Sequence, residues 1–457
     1  MTEIQAKPSF SVLLHLAWPI VISRSAQVVV GFCDAAMVAR LGESALAATT
    51  TGALNTFSIF ILPMGVVFIV SSFSSQLLGK ADYAGARRYG WYGILVSAFT
   101  QLLCMAGLLF VDRALMAFEY APDVRSLMAT YIKIRLLSGG AAIGLEALGN
   151  YYGGLGNTRL PMFAQVLCMV VNVVLNWMLI YGNLGAPALG VDGAAIASAV
   201  STVAAFVALF VCFLTGFGAP GGKASSRLRS AELLRMLRFG LPSGFNWFFE
   251  MAAFSFFVNV VVTALGTTSL AAFMAVMQLN SIAFMPAFGL ASAGAILVGQ
   301  AIGAKRLDDV PSVVGLTLWA AAIWQGLVAL AYLAMPRLLM RSFVDPRVDA
   351  TRFIDLGARF LMLAAAWQLF DATANTLAEA LRAAGDTAFC LWMRSIIAWV
   401  IFVPGVLVTV RVFGGGDVAA VLWVVGYIGL LALALALRFR SGAWRKLDLA
   451  GSEAPIL

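Results

Sequence analysis

The stretch LPSGFNWFFEMAAFSFFVNVVVTA, Leu241 to Ala264, decides how the chain is read. It is long enough to cross a bilayer, for which about 20 predominantly apolar residues suffice. Yet Glu250 stands near its middle. A carboxylate at mid-bilayer depth costs at least about 2.5 kcal/mol, so such a group faces protein or a water-filled cavity and marks a transport path. Two further acids pose the same problem: Asp34 in AQVVVGFCDAAMVA and Asp371 in LAAAWQLFDATANTLAEAL, both flanked by apolar residues.

The rest of the composition agrees with a membrane protein. Hydrophobic residues make up 61% of the 457 and charged residues only 11%, with a mean hydropathy of +0.92; no soluble globular class has that balance. The formal net charge of +8 comes from Lys and Arg in short loops between apolar runs, the pattern of the positive-inside rule. No basic face with interleaved aromatics suggests nucleic acid. Cys33, Cys104, Cys168, Cys212 and Cys390 fall inside apolar segments without paired spacing, so they read as small buried residues. His15 is the one histidine and sits at the entrance of the first segment, which removes any multi-histidine metal site. The polar start, MTEIQAKPSF, lacks a cleavable signal pattern and is expected to stay cytoplasmic.

Twelve apolar segments follow one another, roughly at 11–38, 45–77, 88–111, 124–148, 159–181, 191–217, 234–264, 268–303, 311–336, 351–382, 387–412 and 416–438. Pro19, Pro63, Pro242, Pro286 and Pro404 are expected to bend or end helices. The Gly-, Ser- and Arg-rich run GAPGGKASSRLRSAE reads as a linker, dividing the chain into an N-lobe (1–217), a cytoplasmic linker (218–233) and a C-lobe (234–457) with a short cytoplasmic tail. Lys223, Arg227, Arg229, Arg235 and Arg238, with the loops at Lys80–Arg88, Arg159 and Lys305–Arg306, place both termini inside; the basic segment from Arg337 to Arg352 runs against that orientation.

The two halves repeat one another. LGESALAA, Leu41 to Ala48, returns as LGTTSLAA, Leu265 to Ala272, at a shift of 224; Gly65 falls on Gly289, Gln76 on Gln300, and Pro63 on Pro286 after one residue of slippage. Later, Gly156 falls on Gly385 and Thr158 on Thr387. Same-order repeats with six spans each imply lobes related by an axis along the membrane normal, with substrate bound near the midplane. The acids lie outside the shared scaffold: Glu250 falls on Gln27, Asp371 near Ala142, and Asp34 near Phe257. Their absence from the other half argues for function over structure.

Helical spacing puts Ser243, Asn246 and Glu250 on one face, and Gln368, Asp371 and Asn375 on another. Two such stripes in one lobe could offer oxygen ligands to Na⁺ or share a proton. Arg24, Gln27, Gly31 and Asp34 also share a broad face, so Arg24 is a candidate to neutralise Asp34. Gln278, Asn280 and Asn172 with Asn176 are candidate cavity residues, and Trp247, Phe249, Phe254 and Trp367 candidate cation–π partners, with core or lipid packing as the plainer reading of each ring. Glu146 with Arg159, and Glu379 with Arg382, read as structural or gating pairs, and Asp123, Asp345 and Asp349 as solvated.

The twelve segments, the basic midpoint loop, the repeated LG-x-x-x-LAA, the Gly-x-Gly-x-Thr turn after the fourth segment and the AxxLR-x-x-G-D-T pattern from Ala378 to Thr387 resemble the multidrug and toxic compound extrusion (MATE) family over nearly the whole chain. The acids resemble its NorM-type branch. That resemblance implies an all-α fold of two pseudo-symmetric six-helix bundles. It also implies cation coupling at Asp34, Glu250 and Asp371, with Na⁺ at Glu250 and Asp371 as one option. The implied activity is export of organic cations and amphipathic drugs in exchange for Na⁺ or H⁺. No other cofactor is implied, and the setting is a monomer among the lipids of the bacterial inner membrane. A lipid-precursor flippase would share the architecture but line its cavity with cationic residues, and export of one specific metabolite also stays open. An enzyme would need a nucleophile or metal constellation that the sequence lacks.

Overall fold

The computed structural model describes residues 9–224, 227–344 and 350–451. Asp345 and Asp349, read above as solvated, lie outside the described residues, as do Ser225 and Ser226 of the linker. Within the described residues all regular structure is helical. Among the described residues, eleven helices are long and apolar enough to span a membrane. They are α1 (Phe10–Val38), α2 (Glu43–Gly79), α3 (Tyr83–Gly107), α5 (Arg159–Tyr181), α6 (Val191–Thr215), α7 (Ser230–Phe256), α8 (Thr267–Gly303), α9 (Val310–Ala334), α10 (Thr351–Ala384), α11 (Thr387–Arg411) and α12 (Asp417–Arg440).

The fourth predicted segment is the exception. It is split into α4a (Pro122–Leu136) and α4b (Gly139–Gly154). Gln101 of α3 reaches the break, donating to the Leu136 carbonyl at 3.3 Å and accepting from the Gly140 amide at 2.8 Å. Two backbone groups that a helix end leaves without partners are satisfied in this way. With its split and the charges of Lys133, Arg135 and Glu146, the segment lacks one continuous apolar run, but it completes the set of twelve. Large apolar side chains such as Trp319, Leu102 and Leu327 are 71%, 69% and 58% exposed. Exposure on that scale, along helices of this length, suits lipid and not water. The protein is a multi-pass membrane protein.

The repeat seen in the sequence is a repeat in backbone geometry. Gly42 and Gly266 turn the chain into α2 and α8 at φ of 114° and 111°, a region open to glycine because it lacks Cβ. Both of these helices are 37 residues long with an internal proline, Pro63 or Pro286. Each is followed by a non-glycine residue at φ 59°, Ala81 or Lys305.

The chain packs as two compact units whose boundaries fall inside helices and not in the linker. One unit is Ile22–Gly244; the other joins the start of α1, as far as Val21, to Phe245–Gly451. Glycines explain the boundaries. In the first unit Gly65 of α2 lies so close to α7 that an added Cβ would stand 2.6 Å from the Gly244 Cα. In the second, Gly289 of α8 lies against α1, where a Cβ would stand 2.5 Å from Val21. Leu13, Leu16 and Ala17 of α1 then share a core with Leu290, Ala293 and Ile296 of α8. Helix α7 begins inside the expected linker, at Ser230. Its first turn is held by Glu232, which accepts from Arg88 Nε at 2.7 Å and from Tyr92 Oη at 2.9 Å. In the basic segment before α10, Arg337 is offset by Asp355 at 3.0 Å.

Candidate functional site

Two of the three acids meet in the unit that contains Phe245–Gly451. Glu250, on the second-last turn of α7 before Phe256, forms an ion pair with Arg394, on the second turn of α11. Arg394 is only 7% exposed. Asp371 of α10 stands within electrostatic range of both, as does Tyr427 of α12. Asn375, one turn along α10, reaches the Asp371 carboxylate, and Gln325 of α9 approaches it from across the unit, Nε2 to Oδ2 at 3.5 Å. Beside them, Gln368 donates to Asn280 at 2.8 Å. The side-chain oxygens of Gln325, Gln368 and Asn246 are buried without a hydrogen-bond partner. Unpaired buried acceptors next to a carboxylate are suited to a cation or its water.

The helices that carry this ion pair depart from the repeat. Helix α7 runs into a π turn at Phe257–Val262, and α11 contains another at Ile397–Phe402, whereas α1 and α5 have none. A π turn inserts a residue into an α-helix, re-aims the side chains on either side and is common at functional sites. These two turns pack together: the Phe257 and Phe402 rings lie 5.2 Å apart, and Phe256 and Trp399 6.2 Å apart.

Asp34 stands apart, in the Ile22–Gly244 unit. It is 7% exposed and accepts from Asn176 of α5 and, at 2.7 Å, from Ser198 of α6. Asn172 closes the network, donating to Ser198 and accepting from Asn176, both at 3.1 Å. The carboxylate is therefore held by neutral donors. The Asn172 and Asn176 stripe was legible from its one-turn spacing, but Ser198 was not, since nothing in its own helix distinguishes it from the other serines.

Arg24 does not neutralise Asp34, contrary to the shared-face expectation. Ten residues of helix separate them by about 15 Å along the axis, so a common face does not imply contact. Arg24 instead forms a two-pronged pair with Glu146 of α4b, at 2.9 and 3.1 Å, and Gln27 donates to the same carboxylate at 3.0 Å. Glu146, expected beside Arg159, is thus held by Arg24 and Gln27. Glu379 and Arg382 do pair. Gln27 belongs to this cluster and not to the surroundings of Asp34.

Of the aromatic candidates, Trp367 is 2% exposed and packed among Phe360, Leu361 and Ala364, which makes its ring a core element. Trp247 meets Phe288 edge-on at 6.2 Å. Phe249 and Phe254 are more open, at 36% and 39% exposed, and Gln278 is exposed. Among the described residues no group of three or more His, Cys, Asp or Glu side chains forms a metal cluster.

The MatE family model matches residues 19–178 and 242–408, one block in each repeat. A "Probable multidrug resistance protein NorM" of Pseudomonas putida is 28% identical over 454 residues, covering 98% of this chain and 96% of that protein. The "Multidrug resistance protein NorM" of Aliivibrio fischeri is 27% identical, covering 86% and 85%. Among solved structures, an outward-facing multidrug resistance MATE family transporter of the MOP superfamily superposes with a TM-score of 0.87 at 20% identity, covering 98% and 99%. A eukaryotic MATE transporter gives 0.82 at 17% identity, covering 95% and 96%. The two-fold helical repeat, the acids within membrane-spanning helices and a family match that spans both repeats lead to one conclusion: this chain belongs to the MatE family of membrane transporters, with the MATE fold.

Proposed function

We propose that the protein exports organic cations and other amphipathic drugs from the cytoplasm in exchange for Na⁺ or H⁺, by alternating access, in the bacterial inner membrane with both termini inside. The observation that carries this reading is the charge of the Glu250–Asp371–Arg394 cluster. Two carboxylates against one guanidinium leave a net formal charge of minus one inside membrane-spanning helices. One monovalent cation, one proton or one cationic drug neutralises it. Competition for that charge links the two fluxes: whichever binds displaces the other, so the gradient of one drives the other uphill. The buried amide oxygens of Gln325, Gln368 and Asn246 supply neutral ligands, and the multidrug resistance relatives supply the substrate class.

The test is dye efflux from proteoliposomes with an organic cation, imposing a Na⁺ gradient and a pH gradient separately. Export that follows one gradient and is lost in Glu250→Gln and Asp371→Asn identifies the coupling ion. Undiminished gradient-driven export in either variant refutes the assignment.

A further inference from the structure

We infer that the Arg24–Gln27–Glu146 cluster is a second ligand site and that its ligand is a zwitterion, presenting a carboxylate to Arg24 and an ammonium group to Glu146. The inference deepens the transport reading and rests on it for the purpose of the site, though not for its chemistry.

The geometry is that of a carboxylate receptor already filled from within. Arg24 gives both terminal nitrogens to the two Glu146 oxygens, at 2.9 and 3.1 Å, the planar fork by which arginine recognises a carboxylate. Gln27 adds an amide donor to Glu146 Oε1 at 3.0 Å, and its own oxygen accepts from Arg24 at 3.1 Å. The guanidinium lies over the Phe68 ring, 5.3 Å from its centre. The two ends of the pair are not equally enclosed: the Arg24 side chain keeps 18% of its surface and Glu146 6%. The receptor end is therefore the one that an incoming group meets first.

The place in the fold points to ligand chemistry and not only to helix stapling. By the shift that puts Pro19 on Pro242, Gln27 falls on Glu250; by the shift that puts Gly156 on Gly385, Glu146 falls on Asn375. Acid and amide have exchanged helices between the repeats, while each unit keeps an arginine against the acid. The cluster is thus the counterpart of the cation site, with a different charge. It carries no net charge where the other carries minus one. A lone cation taken by Glu146 would cost Arg24 this carboxylate, and a lone anion taken by Arg24 would cost Glu146 this guanidinium; parting an enclosed ion pair without replacing each charge is unfavourable. A ligand with both charges opens the pair and strands neither.

The experiment measures binding of Nε-dansyl-lysine, which has a free ammonium and a free carboxylate, and of its methyl ester, which has only the ammonium. The purified full-length protein is used in nanodiscs, with dansyl fluorescence as the signal. Wild type is expected to bind the zwitterion at least tenfold tighter than the ester. In Arg24→Gln that ratio is expected to fall to about one. Because Arg24→Gln leaves Glu146 unpaired and is at risk of misfolding, the double variant Arg24→Gln/Glu146→Gln, which strands no charge, is measured beside it with the same expectation. Equal affinities in wild type, or a ratio that survives in the double variant, overturn the inference. Gradient-driven export of a monocationic dye is read in parallel. Its absence with the binding ratio intact refutes the transport reading and leaves the zwitterion site standing.

Discussion

Arg394 sets the net charge of the cluster it forms with the two acids of the Phe245–Gly451 unit. Without it the cluster would carry two negative charges; with it the net charge is minus one, and on the proposed exchange one positive charge suffices. Arg394→Gln is expected to cost about 1–3 kcal/mol, below the range for a fully buried pair because Glu250 remains 44% exposed. Thermal unfolding of the purified protein checks this, and Arg394→Gln/Glu250→Gln is expected to recover only part of the loss, since Asp371 is still left without the guanidinium. At Asp34, Ser198→Ala removes a 2.7 Å donor from a buried carboxylate and is expected to destabilise by about 1–3 kcal/mol. Ser198→Thr, which keeps the hydroxyl, is expected to cost less. The acids were legible because a charge in an apolar run is rare and expensive. Arg394 gives the same signal in LWMRSIIAWV, but helical periodicity describes faces of one helix and does not say which charges on different helices meet.

Among the elements, α1 and α7 each begin in one compact unit and end in the other. Their contacts depend on two glycines that the repeat had paired, Gly65 and Gly289. Gly65→Ala would press a methyl group to 2.6 Å from the Gly244 backbone, which has no flexible end to move. A loss of about 1–3 kcal/mol is expected, the range for overpacking a well-filled contact, read as a lower unfolding temperature. Gly31→Ala, with nothing within 4 Å of its added Cβ, is the matched control and is expected to be near neutral or slightly stabilising. The π turns in α7 and α11 were beyond the sequence. An apolar run of Phe, Val and Ile fits α and π winding equally, and the choice falls to the packing of Phe257 on Phe402. Deleting Asn259, within the α7 π turn, is expected to restore continuous α winding and leave an assembled protein that has lost ion-coupled export, measured by size-exclusion profile and dye efflux.

For the whole molecule, the unit boundaries at Val21/Ile22 and Gly244/Phe245 make the linker dispensable as a covalent tie. Cleavage within residues 218–224 is expected to yield two fragments that still co-purify in mild detergent, since the first fragment carries the start of α1 and the second the start of α7. Separation of the fragments on affinity purification would show that the helices do not hold the units together. The sequence by itself determined the class, the number of segments, the repeat and the rare acids within apolar segments. Hydropathy, periodicity and self-similarity are properties of the chain that survive without knowledge of contacts. Only the tertiary structure decided that Arg24 meets Glu146 and not Asp34, that Arg394 meets Glu250, that Trp367 is core, and that the units divide inside α1 and α7. Each of those is a meeting between residues far apart in the chain, fixed by close backbone approach and by the cost of leaving a buried charge unpaired, neither of which has a local signature.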